Sequence, residues 1–123
     1  MNIEKFTQKS QESISQAHQL AAAGNHNELT GLHLFAALLD QEDGLAANVI
    51  GRAGADPESL RQAIESRLGK LPRVEGPGAS QVYTSREISK VLQAAQAEAA
   101  KMKDEYVSVD HLLLALVDES KQC

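Results

Sequence analysis

Apolar residues recur along most of this chain at steps of three and four, the spacing that lines one face of a helix. Ile3, Phe6, Ser10, Ile14, Ala17, Leu20 and Ala21 predict a long first helix, with Asn2 as N-cap and an end at Gly24-Asn25. A second helix is predicted to open at Thr30, to carry Leu32, Phe35, Ala36, Leu38 and Leu39, and to close near Asp43-Gly44. Leu45, Val49 and Ile50 mark a short third helix that stops at Gly54. Asp56-Pro57-Glu58-Ser59 is the sharpest start signal: an N-cap, a proline at the first helical position and a carboxylate beside the positive end of the dipole. That fourth helix buries Leu60, Ile64 and Leu68 before Gly69.

Lys70 to Tyr83 holds two prolines and two glycines and reads as an irregular connector, neither helix nor paired strand. Helix resumes at Thr84-Ser85-Arg86-Glu87, which has the spacing of a capping box, and its apolar face is Ile88, Val91, Leu92, Ala95, Ala99 and Met102. A sixth helix opens at Ser108 with Leu112, Leu113, Leu116 and Val117. Nowhere do apolar and polar residues alternate for long, so the predicted fold is all-α.

The chain also repeats itself. An offset of 77 aligns Thr7 with Thr84, Gln16 with Gln93 and Ala17 with Ala94. Beyond Tyr106, read as a one-residue insertion, an offset of 78 aligns His33-Leu34 with His111-Leu112 and Asp40 with Asp118. The expected organisation is one domain over 1–123: a first repeat at 1–69, the connector at 70–83, and an incomplete second repeat at 84–123. Like helices should face each other across a pseudo-twofold axis, the two long ones side by side. No counterpart of the third and fourth helices follows Asp118. Apolar surface on the last helix should therefore be left uncovered, at roughly 1.5–3 kcal/mol per large side chain. Another chain would cover it, by self-association for example, or that end would loosen.

Composition narrows the function classes. Twelve Lys plus Arg against 17 Asp plus Glu give a net charge of −5, which argues against nucleic acid as a partner. No apolar run approaches the ~20 residues of a membrane span. The polar start lacks the apolar stretch of a secretion signal, and the single cysteine, Cys123, suits a reducing cytosol. Among His18, His26, His33 and His111 no metal-ligand spacing occurs, so no metal is expected. His33 and His111 each follow a Thr or Ser cap by three residues, and the expectation is that each imidazole satisfies amides at a helix start. There is no nucleophile elbow, and Gly76-Pro77-Gly78 lacks the Lys-Ser/Thr of a phosphate loop. Enzymatic machinery is not expected. A shallow trough between the long helices, floored by Ala17, Ala94 and Ala95 and flanked by Thr7, Asp104 and Asp110, could hold an extended peptide weakly.

Several segments carry a family resemblance: Phe6-Thr7 with its Gln/Ala-rich helix, Leu32-His33-Leu34 with Leu38-Leu39, Leu71-Pro72-Arg73-Val74-Glu75-Gly76, Thr84-Ser85, and Val107-Ser108-Val109-Asp110-His111-Leu112-Leu113. In these the chain resembles the amino-terminal domain of Clp/Hsp100 AAA+ unfoldases, and its connector is most similar to the disaggregase branch. The resemblance implies a cytoplasmic chaperone module that binds unfolded or aggregated protein in a groove between two pseudo-repeats and aids its delivery to a downstream AAA+ hexamer. It implies substrate-binding roles for Thr7, Ala94, Asp104 and Asp110. No cofactor is implied in this chain, ATP and Mg belonging to the downstream ATPase modules. A further chaperone or adaptor partner is implied as well, the alternative being an adaptor-docking domain of a protease-associated Clp ATPase. Ala94 offers only a methyl group, and Glu98 stands where the family can carry an apolar residue.

Overall fold

The computed structural model describes residues 3–42, 44–76 and 81–120. In chain order it contains a 3₁₀ turn (Ile3–Lys5), α1 (Gln8–Ala23), β1 (Glu28–Leu29), α2 (Gly31–Asp40), α3 (Leu45–Arg52), α4 (Pro57–Gly69), β2 (Tyr83–Thr84), α5 (Arg86–Lys101) and α6 (Val109–Ser120). The fold is mostly helical, as expected, with two short parallel pairings that the sequence reading missed. Glu28 and Leu29 pair with Tyr83 and Thr84, and Phe6 bridges to Val107. These pairings are too brief to leave an alternating pattern.

Phe6 also corrects the first helix. Its pairing ends the 3₁₀ turn, and Thr7 caps α1 by accepting from Ser10 N at 3.1 Å. The proposed cap Asn2 lies outside the described residues, as do Asp43, Pro77-Gly78 and Cys123. Asp56 caps α4 as predicted, accepting from Glu58 N, and Pro57 opens that helix. Met102, placed on the apolar face of α5, instead follows the helix end and is 58% exposed.

A single shift of 78 residues carries α1 onto α5 and β1 onto Tyr106-Val107. The same shift carries the start of α2 onto the start of α6 and Asn25 (φ 56) onto Lys103 (φ 60). Burial follows it: Ser10, Ser13, Ala17 and Ala21 map onto Ile88, Val91, Ala95 and Ala99, and all eight are buried. The offset of 77 across the long helices is therefore one residue off, and Tyr106 is no insertion. The alanine identity behind that offset pairs buried Ala17 with half-buried Ala94, and the glutamine identity pairs two exposed positions, Gln16 and Gln93.

Helix pairing is the second correction. α1 packs on α2, and α5 packs on α6. Contacts between the halves run through α6 with α2, α3 and α1, and through α2 with α5. Among the described residues α1 and α5 share no substantial packing, so the trough expected between them does not form. Their small residues serve a different purpose, letting each long helix approach its own partner closely. The core draws Phe6, Leu34, Leu38, Ile88, Val91 and Leu112 from both halves.

Candidate functional site

Thr7, Asp104 and Asp110 belong to one corner of the molecule, built around the Phe6–Val107 bridge. Thr7 N donates to Val107 O at 3.0 Å, and Val107 N donates to Lys5 O at 2.7 Å. The Thr7 hydroxyl donates to Ser10 Oγ at 2.9 Å, and the Ser10 hydroxyl donates onward to Val107 O at 2.9 Å. This relay satisfies a buried serine and fixes α1 against the strand that precedes α6. Asp104 and Asp110 lie three residues to either side of Val107. Both are exposed, and Asp110 sits in the first turn of α6, where a carboxylate favours the helix dipole.

Asp104 has a second attachment. α5 ends in a Schellman turn: Lys103 adopts positive φ, and Asp104 N donates to Ala99 O at 2.8 Å. That turn aims the Asp104 carboxylate at His111, whose Nε2 lies 2.9 Å from Oδ2. Ser108 N donates to His111 Nδ1 at 2.9 Å, so Nδ1 is the bare nitrogen and Nε2 carries the proton. The other half repeats the device. His26 N donates to Ala21 O at 2.9 Å, Thr30 N donates to His33 Nδ1 at 3.0 Å, and His33 Nε2–H donates to His26 Nδ1 at 2.9 Å. Both imidazoles thus satisfy helix-start amides, as their spacing suggested. Burial, and then the neighbouring His26, push the His33 pKa down to about 4.

Ala94 does not join this corner. It is half-buried on α5, against the core, roughly 10 Å along the helix from its end at Lys101. The structure therefore gathers three of the four expected residues and sets the fourth apart.

A separate concavity went unpredicted. Leu32 and Phe35 of α2, Arg67 and Leu71 at the end of α4, Glu87 of α5, and Leu116 and Val117 of α6 line a mainly apolar cleft of about 500 Å³. Glu87 stands on its rim for a reason that corrects the capping box. Ser85, not Thr84, caps α5, accepting from Ile88 N at 3.1 Å. Glu87 reaches across the halves instead, and its Oε1 accepts from Gly31 N at 2.6 Å at the start of α2. Sequence spacing alone could not separate a local cap from this remote one. Among the described residues no group of three or more His, Cys, Asp or Glu could hold a metal, and no helix is long and apolar enough to cross a membrane.

Two kinds of observation meet here: a helical pair repeated at a shift of 78 residues, and a sequence match. The profile of the Clp repeat (R) N-terminal domain matches residues 5–123. The chain belongs to the Clp N-terminal domain family. It is 43% identical over 121 residues to the chaperone protein ClpB of Nitratidesulfovibrio vulgaris, which covers 97% of this chain and 14% of that protein. The chain thus spans about one seventh of this relative's length. Among solved structures it is similar to the Hsp104 N-terminal domain from Candida albicans, with a TM-score of 0.85 and 26% identity, covering 95% of this chain and 76% of that one. The ClpV N-domain in complex with a VipB peptide shares the fold at a TM-score of 0.81 and 22% identity, covering 97% and 71%. This Clp N-domain is similar to those of ClpB and Hsp104.

Proposed function

We propose that this Clp N-domain is the substrate-recognition module of a cytoplasmic ClpB-type disaggregase. It binds unfolded or aggregated polypeptide and aids its delivery to an AAA+ hexamer that supplies ATP hydrolysis from other modules. Similarity to ClpB over nearly the whole chain carries the reading. The contact site is the corner where α1 meets the turn before α6. Thr7 offers a hydroxyl, Asp104 and Asp110 offer carboxylates that accept from backbone amides of an extended chain, and Ala94 adds a small apolar contact along α5. Exposed Tyr106 and Met102, on the same turn, give an unfolded segment apolar surface to lie on.

Fluorescence anisotropy of a permanently unfolded, labelled protein tests this. Saturable weak binding is expected, reduced several-fold by Thr7→Ala or Asp110→Ala with helicity unchanged. No binding by the parent domain, or binding indifferent to both substitutions, would contradict it. A second reading is an adaptor-docking N-domain of a protease-associated Clp ATPase, and the ClpV N-domain solved in complex with a VipB peptide favours docking of a defined segment. That reading predicts no response to generic unfolded protein.

A further inference from the structure

The two halves treat one strand edge differently. Tyr83 N donates to Asn27 O at 2.8 Å and Ser85 N to Leu29 O at 3.2 Å, so both face β1. Successive residues of a strand turn their peptide groups to opposite sides, and Thr84 therefore points its N–H and C=O away from β1. Neither group has a partner among the described residues. The 78-residue shift carries Thr84 onto Phe6, where the same edge is closed from within. Phe6 N donates to Ile3 O at 3.0 Å, and the Gln11 carboxamide donates to Phe6 O at 2.9 Å. The second half lacks both devices. Ser89 stands in place of Gln11 and is too short to reach back, and residues 81–83 form no 3₁₀ turn like Ile3–Lys5.

Beside this edge lies a cleft of about 340 Å³ lined by Thr84, Ser89, Leu92, Gln93 and Gln96. No charged side chain lines it: hydroxyls and carboxamides surround a single buried leucine. On α1 the equivalent face, where Gln8, Gln11, Glu12 and Ser15 line a similar concavity, is open in the half that carries α3 and α4. Openness there belongs to the fold of each half. Phe6 shows what satisfies the edge, namely one carbonyl to accept from its N–H and one amide N–H to donate to its C=O. The main chain of an extended polypeptide supplies both, whatever its side chains, and the Ser89 hydroxyl and Gln93 carboxamide can pair with its next peptide groups. We propose that the Thr84 edge and its cleft dock an extended, uncharged segment of another polypeptide through its main chain. The site lies at the opposite end of α5 from the corner of Thr7, Asp104 and Asp110, roughly 20 Å away along the helix.

The proposal goes beyond the polypeptide-binding corner and stands whether or not that corner binds. An end-capped peptide of alternating threonine and glutamine is titrated into the chain while backbone amides are followed by NMR. Saturable shifts are expected at Thr84, Ser89, Gln93 and Gln96, unchanged by Asp110→Ala. The same peptide methylated at every backbone nitrogen keeps its side chains and carbonyls but loses its donors, and should bind roughly tenfold more weakly. Ser89→Gln supplies the carboxamide that Gln11 supplies in the first half, closes the Thr84 carbonyl from within, and should weaken binding roughly fivefold. Thr84→Pro removes the outward N–H without costing a ladder bond and should weaken binding by a similar factor. Both positions are exposed, so both variants keep the fold. Absent shifts at these residues, undiminished binding of the methylated peptide, or affinity indifferent to both substitutions would overturn the proposal. The same shifts appearing with protein concentration alone would give the edge to a second copy and overturn it as well.

Discussion

At positions 33 and 111 one imidazole geometry ends on different partners: His26 receives the Nε2 proton in the first half, Asp104 in the second. At His33, burial first and the neighbouring His26 second have a pH consequence. Its folded pKa is about 4, below the ordinary 6.5, so the unfolded chain binds the extra proton first as pH falls. The stability His33 contributes is therefore complete above pH 6.5 and is lost between there and pH 4, by up to about 3 kcal/mol. Urea unfolding across that range should show the decline. His33→Gln keeps a side-chain acceptor for Thr30 N, as a capping box does, and should flatten the decline while costing about 1 kcal/mol at pH 7. An unchanged slope in the variant would assign the proton to another group. At Asp104, Asp104→Ala leaves the buried His111 Nε2–H without its acceptor and should cost about 1 kcal/mol. Asp104→Asn retains an oxygen and should cost less, so the pair separates stability from polypeptide binding at this residue.

Among the elements, helices were legible and their joints were not. Asp56-Pro57 names the start of α4 because every group it uses is local in sequence. Thr84 to Glu87 offered an equally local cap, yet the Glu87 carboxylate goes to Gly31 N, 56 residues away, and leaves Ser85 to cap α5 alone. An anionic acceptor at the positive end of α2 is a favourable placement. Glu87→Ala should lower stability by about 1.5–3 kcal/mol, since the Gly31 amide loses a charged partner. A side chain at Gly31 would strike the same carboxylate, its Cβ falling 2.9 Å from Oε1. Gly31→Ala should therefore lose part of the same stability, and in the double variant the two losses should be less than additive in chemical denaturation. Fully additive losses would mean that the contact carries little. The α5 exit was illegible for a related reason: Lys103, neither glycine nor asparagine, takes up positive φ there.

Across the whole molecule the two halves interlock. Phe6 of the first half pairs with Val107 of the second, while Tyr83-Thr84 of the second pair with Glu28-Leu29 of the first. Each half thus closes the other, and neither core is separate. Phe6 is 2% exposed, and Phe6→Ala should cost about 3–5 kcal/mol and lower both halves together in one transition. Two resolved transitions, by circular dichroism and tyrosine fluorescence, would show independent halves. The duplication itself was visible in the His-Leu pattern of the second helix of each half. Its register was not, because alanine-rich helices align nearly as well one residue out, and only the helix bounds, the matched positive-φ residues and burial separate offset 78 from 77. The expected trough failed on the same ground: small residues signal close helix approach without naming the partner helix. Of the candidate site, Thr7, Asp104 and Asp110 were expected to flank that trough and meet instead at one corner, whereas the place of Ala94 and the cleft beside Glu87 depend on packing that local sequence does not encode.

The central claim is that this Clp N-domain holds unfolded polypeptide at the corner between α1 and α6. Amide chemical-shift mapping with an unfolded protein localises that contact directly. The account predicts saturable shifts at Thr7, Asp104, Tyr106 and Asp110, fading in Asp110→Ala. Shifts confined to the face of α3 and α4, or none at saturating polypeptide, would contradict it.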